Sequence, residues 1–169
     1  MYKILSLFVL TTMLLACSTK NKAQNVDSSA ELAKVGLTPV VKTDKEWKAE
    51  LSDQEYYVLR EKGTERSFSG DLWDFKGDGV YTCRACALPL FDSETKFKSG
   101  TGWPSYFEPV KKEHVREDTD HILGYPRTEV LCNRCGGHLG HVFKDGPKPT
   151  GLRYCINSAS LDFVDRKDP

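Results

Sequence analysis

Two CxxC pairs, Cys83-Arg84-Ala85-Cys86 and Cys132-Asn133-Arg134-Cys135, with residues 87–131 between them, constrain this chain more than any other feature. A two-residue spacer lets both sulfurs of one turn converge on a metal, and two such knuckles supply the four soft ligands of a tetrahedral Zn²⁺ at ~2.3 Å. Each pair ends a strand-like run and is followed by turn chemistry, Leu88-Pro89 in one case and Gly136-Gly137 in the other. The fold must therefore bring two distant segments to one point. The competing reading is a pair of disulfides, since the amino end points to an oxidising compartment. A CxxC disulfide closes a very small ring and constrains the unfolded chain little, whereas a shared metal ties both segments together. The expectation is a structural zinc on Cys83, Cys86, Cys132 and Cys135, its coordination sphere filled and closed to water.

A chain of 169 residues holds one compact domain and a little more. At 39% hydrophobic it is too apolar for a disordered chain. Its 24 basic and 24 acidic side chains cancel, so no electrostatic footprint calls for nucleic acid. No glycine-rich phosphate loop follows a strand, and no nucleotide or flavin cofactor is expected.

The amino end has one basic residue, Lys3, before an apolar run from Ile4 to Ala16. That run is too short to cross ~30 Å of hydrocarbon as a helix and suits a secretory signal over residues 1–16. It ends Leu14-Leu15-Ala16-Cys17, which resembles the lipobox of bacterial lipoproteins, where cleavage precedes a lipid-bearing cysteine; an ordinary signal with an incidental Cys17 is the alternative. Residues 17–41 are polar and lack clear periodicity, as a lipid-anchored tether would be. The expected location is the bacterial cell envelope, membrane-bound through Cys17. Ser18, where an aspartate would retain a lipoprotein, favours the outer membrane and a periplasm-facing domain if the host has one.

The folded unit is read as residues 42–169. Thr43-Asp44-Lys45-Glu46 and Ser52-Asp53-Gln54-Glu55 both match the capping box, so two short helices are expected, the first with Trp47 and Leu51 on one face and the second stopping at Gly63. Beyond Gly63, short β-branched or aromatic runs punctuated by Gly, Pro, Asp and Asn predict small antiparallel sheets, with strands at 79–83, 128–132, 141–143 and 152–157 and a turn at Asp145-Gly146-Pro147.

With one cysteine assigned to lipid and four to zinc, Cys155 is left. In a strand, period two places Arg153, Cys155 and Asn157 on one face and Leu152, Tyr154 and Ile156 on the other. A guanidinium two residues away favours the thiolate, the nucleophilic form. A lone cysteine is also commonly a small buried hydrophobe, and spacing alone does not choose between the two.

Four ordered blocks add to this: Gly100-Thr101-Gly102-Trp103-Pro104-Ser105, Cys135-Gly136-Gly137-His138-Leu139-Gly140-His141-Val142-Phe143, Asp145-Gly146-Pro147, and Arg153-Tyr154-Cys155-Ile156-Asn157-Ser158. Together with both CxxC knuckles, from about Leu51 to Phe163, they closely resemble the B-type methionine-R-sulfoxide reductase family. The resemblance implies a mainly β, β-tent-like fold of two small antiparallel sheets with short N-terminal helices and a structural zinc. It implies reduction of the R epimer of methionine sulfoxide, with Cys155 as nucleophile and His138, His141, Arg153 and Asn157 as the polar side of the site. Trp103 resembles the aromatic wall that receives the substrate's S-methyl group; plain core packing is its bland alternative.

The residue types suit that chemistry. A thiolate attacking the sulfoxide sulfur needs the departing oxygen protonated, and an imidazole with an ordinary pKa of ~6.5 is a suitable acid. His141 is the first choice of donor and His138 the second, against a reading in which both only brace the loop. His114 and His121 sit in a charged segment and are read as solvated surface. Many members of the family carry a resolving cysteine in the Gly-x-Gly-Trp-Pro block, where this chain has Thr101. A Cys155 sulfenic acid would then be cleared by a thioredoxin-like partner or a small thiol. The substrate is oxidised protein or free methionine-R-sulfoxide, the former favoured. Two other readings stay open: a non-catalytic zinc-knuckle module that docks a protein, indifferent to loss of Cys155, and an exported disulfide-stapled scaffold.

Overall fold

A computed structural model describes residues 29–167. The expected signal peptide and Cys17 lie outside the described residues.

Both capping boxes form. Thr43 caps α1 (Asp44–Glu50) and Ser52 caps α2 (Asp53–Leu59), each hydroxyl accepting from the N3 amide while the N3 glutamate reaches back to the cap amide. α1 buries Trp47, with Leu51 just beyond its end. α2 stops at Leu59, and the left-handed residue that follows is Lys62 (φ 59°), not Gly63. Gly63 is needed for a different reason: a Cβ there would lie 2.2 Å from the Tyr57 ring.

The rest is two antiparallel sheets. The first has the order β2 (Pro89–Asp92), β1 (Gly79–Cys83), β8 (Leu161–Asp165). The second has the order β3 (Ser105–Tyr106), β7 (Arg153–Ile156), β6 (His138–Phe143), β5 (Arg127–Cys132), β4 (Val115–Asp120). Strands expected at 79–83, 128–132, 141–143 and 152–157 match β1, β5, β6 and β7, with β6 beginning three residues earlier. Their inner faces meet in a core that includes Tyr81, Leu90, Phe91, Tyr106, Val130, Leu139, Tyr154, Ile156 and Leu161. Phe91 of the small sheet stacks on Tyr106 of the large one, ring centroids 4.4 Å apart at 14°.

Two expectations change. His114, read as solvated surface, is 9% exposed and donates from Nδ1 to the Pro89 carbonyl at 2.6 Å, because a 3-10 turn (Lys112–His114) folds it under the edge of β2. His121 is exposed, as read. Packing also begins ahead of residue 42: residues 29–34 are helical, Leu37 and Val40 lie against the core, and the Val40 amide donates to the Arg134 carbonyl at 2.9 Å. A few isolated apolar residues make that contact, a pattern with no period to read.

Candidate active site and metal centre

Cys83 ends β1 and Cys132 ends β5, and after each the chain turns back on itself to present a second sulfur. The Cys83 and Cys132 amides donate to the Leu88 and Gly137 carbonyls, both at 2.8 Å. All four sulfurs lie within 4.8 Å of one another, with Cys83 to Cys135 at 3.7 Å and Cys86 to Cys132 at 3.6 Å. A tetrahedron built on ~2.3 Å metal–sulfur bonds has edges of about 3.8 Å. A disulfide needs ~2.05 Å, and all the described cysteines are free. The residues fit a four-thiolate metal centre that joins the two sheets and leaves no ligand position open.

The second cluster is written in the register of the large sheet. Asp118, Glu129, His141, Cys155 and Ser105 form one row of directly opposed residues across all five strands. Opposed residues project to the same side, so the row shares a face, and Arg127 opposite Asp120 and Phe143 opposite Arg153 extend it. His138 stands three residues from His141, an odd spacing that in a regular strand would put the two on opposite faces. A bulge rephases β6: Val130 pairs with Gly140 but Leu131 with His138, leaving Leu139 unopposed. The two imidazoles come together with ring centroids 5.4 Å apart. Gly140 permits the close approach to β7, since a Cβ there would lie 2.1 Å from the Cys155 carbonyl oxygen.

Each histidine is held by a carboxylate that a cation holds in turn. His138 Nδ1 is 2.7 Å from Glu129 Oε1, and Lys62 Nζ is 2.8 Å from Glu129 Oε2. His141 Nε2 is 2.7 Å from Asp120 Oδ2, which also pairs with Arg127, while Asp120 Oδ1 accepts from the Ile122 amide at 2.6 Å. Burial lowers the pKa of both histidines, and their carboxylates only partly offset it, so both rest neutral at pH 7. Burial acts to raise Asp120, but the Ile122 amide, His141 and Arg127 outweigh it and hold the carboxyl well below the usual range.

Cys155 is half-buried, its sulfur 3.8 Å from Thr101 Oγ1. Arg153 favours the thiolate, as expected, but it is outweighed. Burial pushes the thiol up, and the Thr101 hydroxyl and Arg153 only partly counter it. Arg153 is itself engaged by Asp145 through two hydrogen bonds of 2.9 and 2.8 Å and lies over the Phe143 ring. Asn157 is turned inward: Oδ1 accepts from the Glu65 amide at 3.1 Å and Nδ2 donates to the Leu139 carbonyl at 3.0 Å. Trp103 Nε1 donates to the Glu65 carbonyl at 3.2 Å, on the loop between Thr101 and Ser105. Glu65 in turn accepts from the Ser158 and Ala159 amides.

The structure thus brings Cys155, Arg153, His138 and His141 to one face, with Thr101 touching Cys155, and places Asn157 beneath as a brace. Lys62, Glu65, Asp120, Arg127 and Glu129 were not singled out in the sequence. The one available signal was Glu129, a carboxylate inside the strand-like run Thr128-Glu129-Val130-Leu131.

The SelR domain description matches residues 51–165. Peptide methionine sulfoxide reductase MsrB of Thiobacillus denitrificans is 62% identical over 122 residues, covering 72% of this chain and 92% of that protein. The proteins of the same name from Leptospira interrogans and Methanosarcina mazei are 56% and 54% identical, over 73% and 76% of this chain and 95% and 92% of their own lengths. The matched span takes in both CxxC knuckles and every residue of the candidate face, and on that ground the chain belongs to the SelR family, the MsrB-type peptide methionine sulfoxide reductases.

Proposed function

We propose that this protein reduces the R epimer of methionine sulfoxide, chiefly within polypeptides, through a sulfenic acid on Cys155. The observation that carries the reading is the row that sets His141 opposite Cys155, with His138 folded onto the same face. The Cys155 thiolate attacks the sulfoxide sulfur; the S–O bond breaks as the oxygen takes a proton from an imidazolium, His141 being the donor we favour, and the hydroxyl passes to Cys155. Methionine sulfur is reduced by two electrons and Cys155 is oxidised by two. A neutral resting imidazole must take up a proton before it can act as the acid.

Thr101 supports an external reductant. It offers a hydroxyl where a thiol would be needed to condense with the sulfenic acid, and the other described cysteines form the metal cluster. One external thiol releases water and forms a mixed disulfide; a second restores Cys155. The exposed apolar tip Ile122, Leu123 and Tyr125, two to five residues beyond Asp120, favours a polypeptide substrate over a free amino acid.

The metal would be Zn²⁺, which four thiolates suit, serving structure and holding no substrate. The apolar run before Cys17 would place the enzyme in the cell envelope as a lipoprotein repairing oxidised envelope proteins, which labelled palmitate incorporated by the full chain and lost in Cys17→Ser would test.

The decisive experiment offers each sulfoxide epimer with dithiothreitol to wild type and Cys155→Ser. Turnover of the R epimer alone, abolished by the substitution, is expected. Failure of the wild type on both epimers would instead favour a zinc-knuckle binding module.

A further inference from the structure

The loop leaving α2 carries a lysine in a backbone conformation that side chains seldom adopt. Lys62 has φ 59°, and the next amide, Gly63, donates to the Tyr57 carbonyl at 2.9 Å, closing the turn around it. The outcome is a half-exposed lysine whose Nζ reaches Glu129 Oε2 at 2.8 Å. Glu129 is 1% exposed, and its other oxygen meets His138 Nδ1. Among the described residues, Lys62 is the one cation that bonds to Glu129. His138 is 2% exposed and its Nε2 has no partner there.

The geometry points to Lys62 as a positioning residue that, acting through Glu129, fixes the His138 tautomer with its proton on Nδ1 and a bare Nε2, on an imidazole whose ring lies 5.4 Å from that of His141. The inference rests on the reductase reading above. A bare imidazole nitrogen accepts a hydrogen bond from an O–H group, and oxygen transfer to Cys155 creates one.

The electrostatics explain why Lys62 matters. A carboxylate as buried as Glu129 needs a compensating cation. Without Lys62 it has two escapes. It can take up a proton and become a donor, which turns His138 Nδ1 into an acceptor and moves the imidazole proton to Nε2. It can instead stay ionised and draw a second proton onto His138. Both convert Nε2 from acceptor to donor. His141 is oriented the opposite way, donating from Nε2 to Asp120, which Arg127 and the Ile122 amide hold independently of Lys62. Its tautomer, held by Asp120, serves as an internal control.

The test uses the full metal-loaded protein labelled with ¹⁵N in its histidine rings. At neutral pH, wild-type His138 is expected to carry its proton on Nδ1. In Lys62→Met, Nε2 becomes protonated while the His141 tautomer is unchanged, and kcat for methionine sulfoxide falls about 10- to 100-fold with KM within about twofold. Lys62→Arg restores both. A wild-type His138 protonated on Nε2 overturns the inference without any variant, as does a Lys62→Met protein with an unshifted His138 or an unchanged kcat. The spectra need no turnover, so loss of the reductase reading and loss of this inference are separate results.

Discussion

His141 and Cys155 lie directly opposite each other on β6 and β7, with Asp145 and Arg153 bonded to each other at the same edge of the sheet. The proposed proton donor and nucleophile are therefore set by strand register and not by loops, and the charge near the sulfur is a pair with little net field. Burial then dominates, and Cys155 ionises above the ordinary cysteine value of ~8.5.

Alkylation of Cys155 by iodoacetamide should accordingly speed up with pH, with its inflection above ~8.5. Arg153→Met should move the inflection higher, because the guanidinium lowers the thiol pKa. Asp145→Asn should move it lower, because the carboxylate raises it. An inflection near neutrality in the wild type would contradict this account of the site.

Stability should fall on the acid side in two windows. His138 and His141 have folded pKa values below the ordinary ~6.5, so the unfolded chain takes up protons first as pH drops below ~6.5, and stability is lost at up to about 1.4 kcal/mol per pH unit for each. Asp120 adds a lower window: its depressed pKa contributes stability that is full above ~3.9 and lost as pH falls below it. Urea midpoints measured from pH 8 to 3 should show both declines. Asp120→Asn should shrink the lower one, leaving the part due to Asp78, Asp145 and Glu46, which are also held below the usual range.

Metal removal should unfold the domain. Cys83 closes a strand of the three-stranded sheet and Cys132 one of the five-stranded sheet, so a metal held there would tie together the two layers whose faces form the core. A structural four-thiolate site contributes on the order of 10 kcal/mol, comparable to the whole ~5–15 kcal/mol stability of a domain. Elemental analysis should find one zinc per chain, and chelation should abolish the cooperative thermal transition. A folded, active, metal-free protein would refute the structural role.

What the sequence disclosed was local. Capping boxes, the CxxC spacing and the period-two alternation around Cys155 each lie within a few residues; the first two formed as read, and the alternation held from Arg153 to Ile156 but not to Asn157, which turns inward. What stayed hidden depends on pairing. β4, Val115-Arg116-Glu117-Asp118-Thr119-Asp120, is almost wholly polar because its side chains other than Asp120 are exposed or half-buried, so no alternation marks it. Glu129 and Asp120 are active-face carboxylates only because β4, β5 and β6 pair in one particular register. His138 joins His141 only through an unopposed Leu139. The charge state of Cys155 eluded the sequence for the same reason: it places Arg153 two residues away but is silent on the burial that outweighs it.

The regeneration route gives the sharpest remaining test. Thr101 Oγ1 sits 3.8 Å from the Cys155 sulfur, on a loop pinned by Ser99 and Ser105 hydroxyls, so a thiol at that position would start within reach of Cys155. Bridged cysteines need Cβ atoms ~3.5–4.5 Å apart, a small adjustment from a side-chain contact of this kind. Wild type given one equivalent of sulfoxide and no reductant should stop at a Cys155 sulfenic acid, trapped by dimedone, with no new disulfide. Thr101→Cys should instead form an internal disulfide to Cys155 in the same single turnover, lose dimedone labelling, and become a better substrate for a dithiol reductant such as thioredoxin. An internal disulfide at Cys155 in the wild type would show that a metal-site cysteine resolves the sulfenic acid, and the external-thiol route would then be wrong.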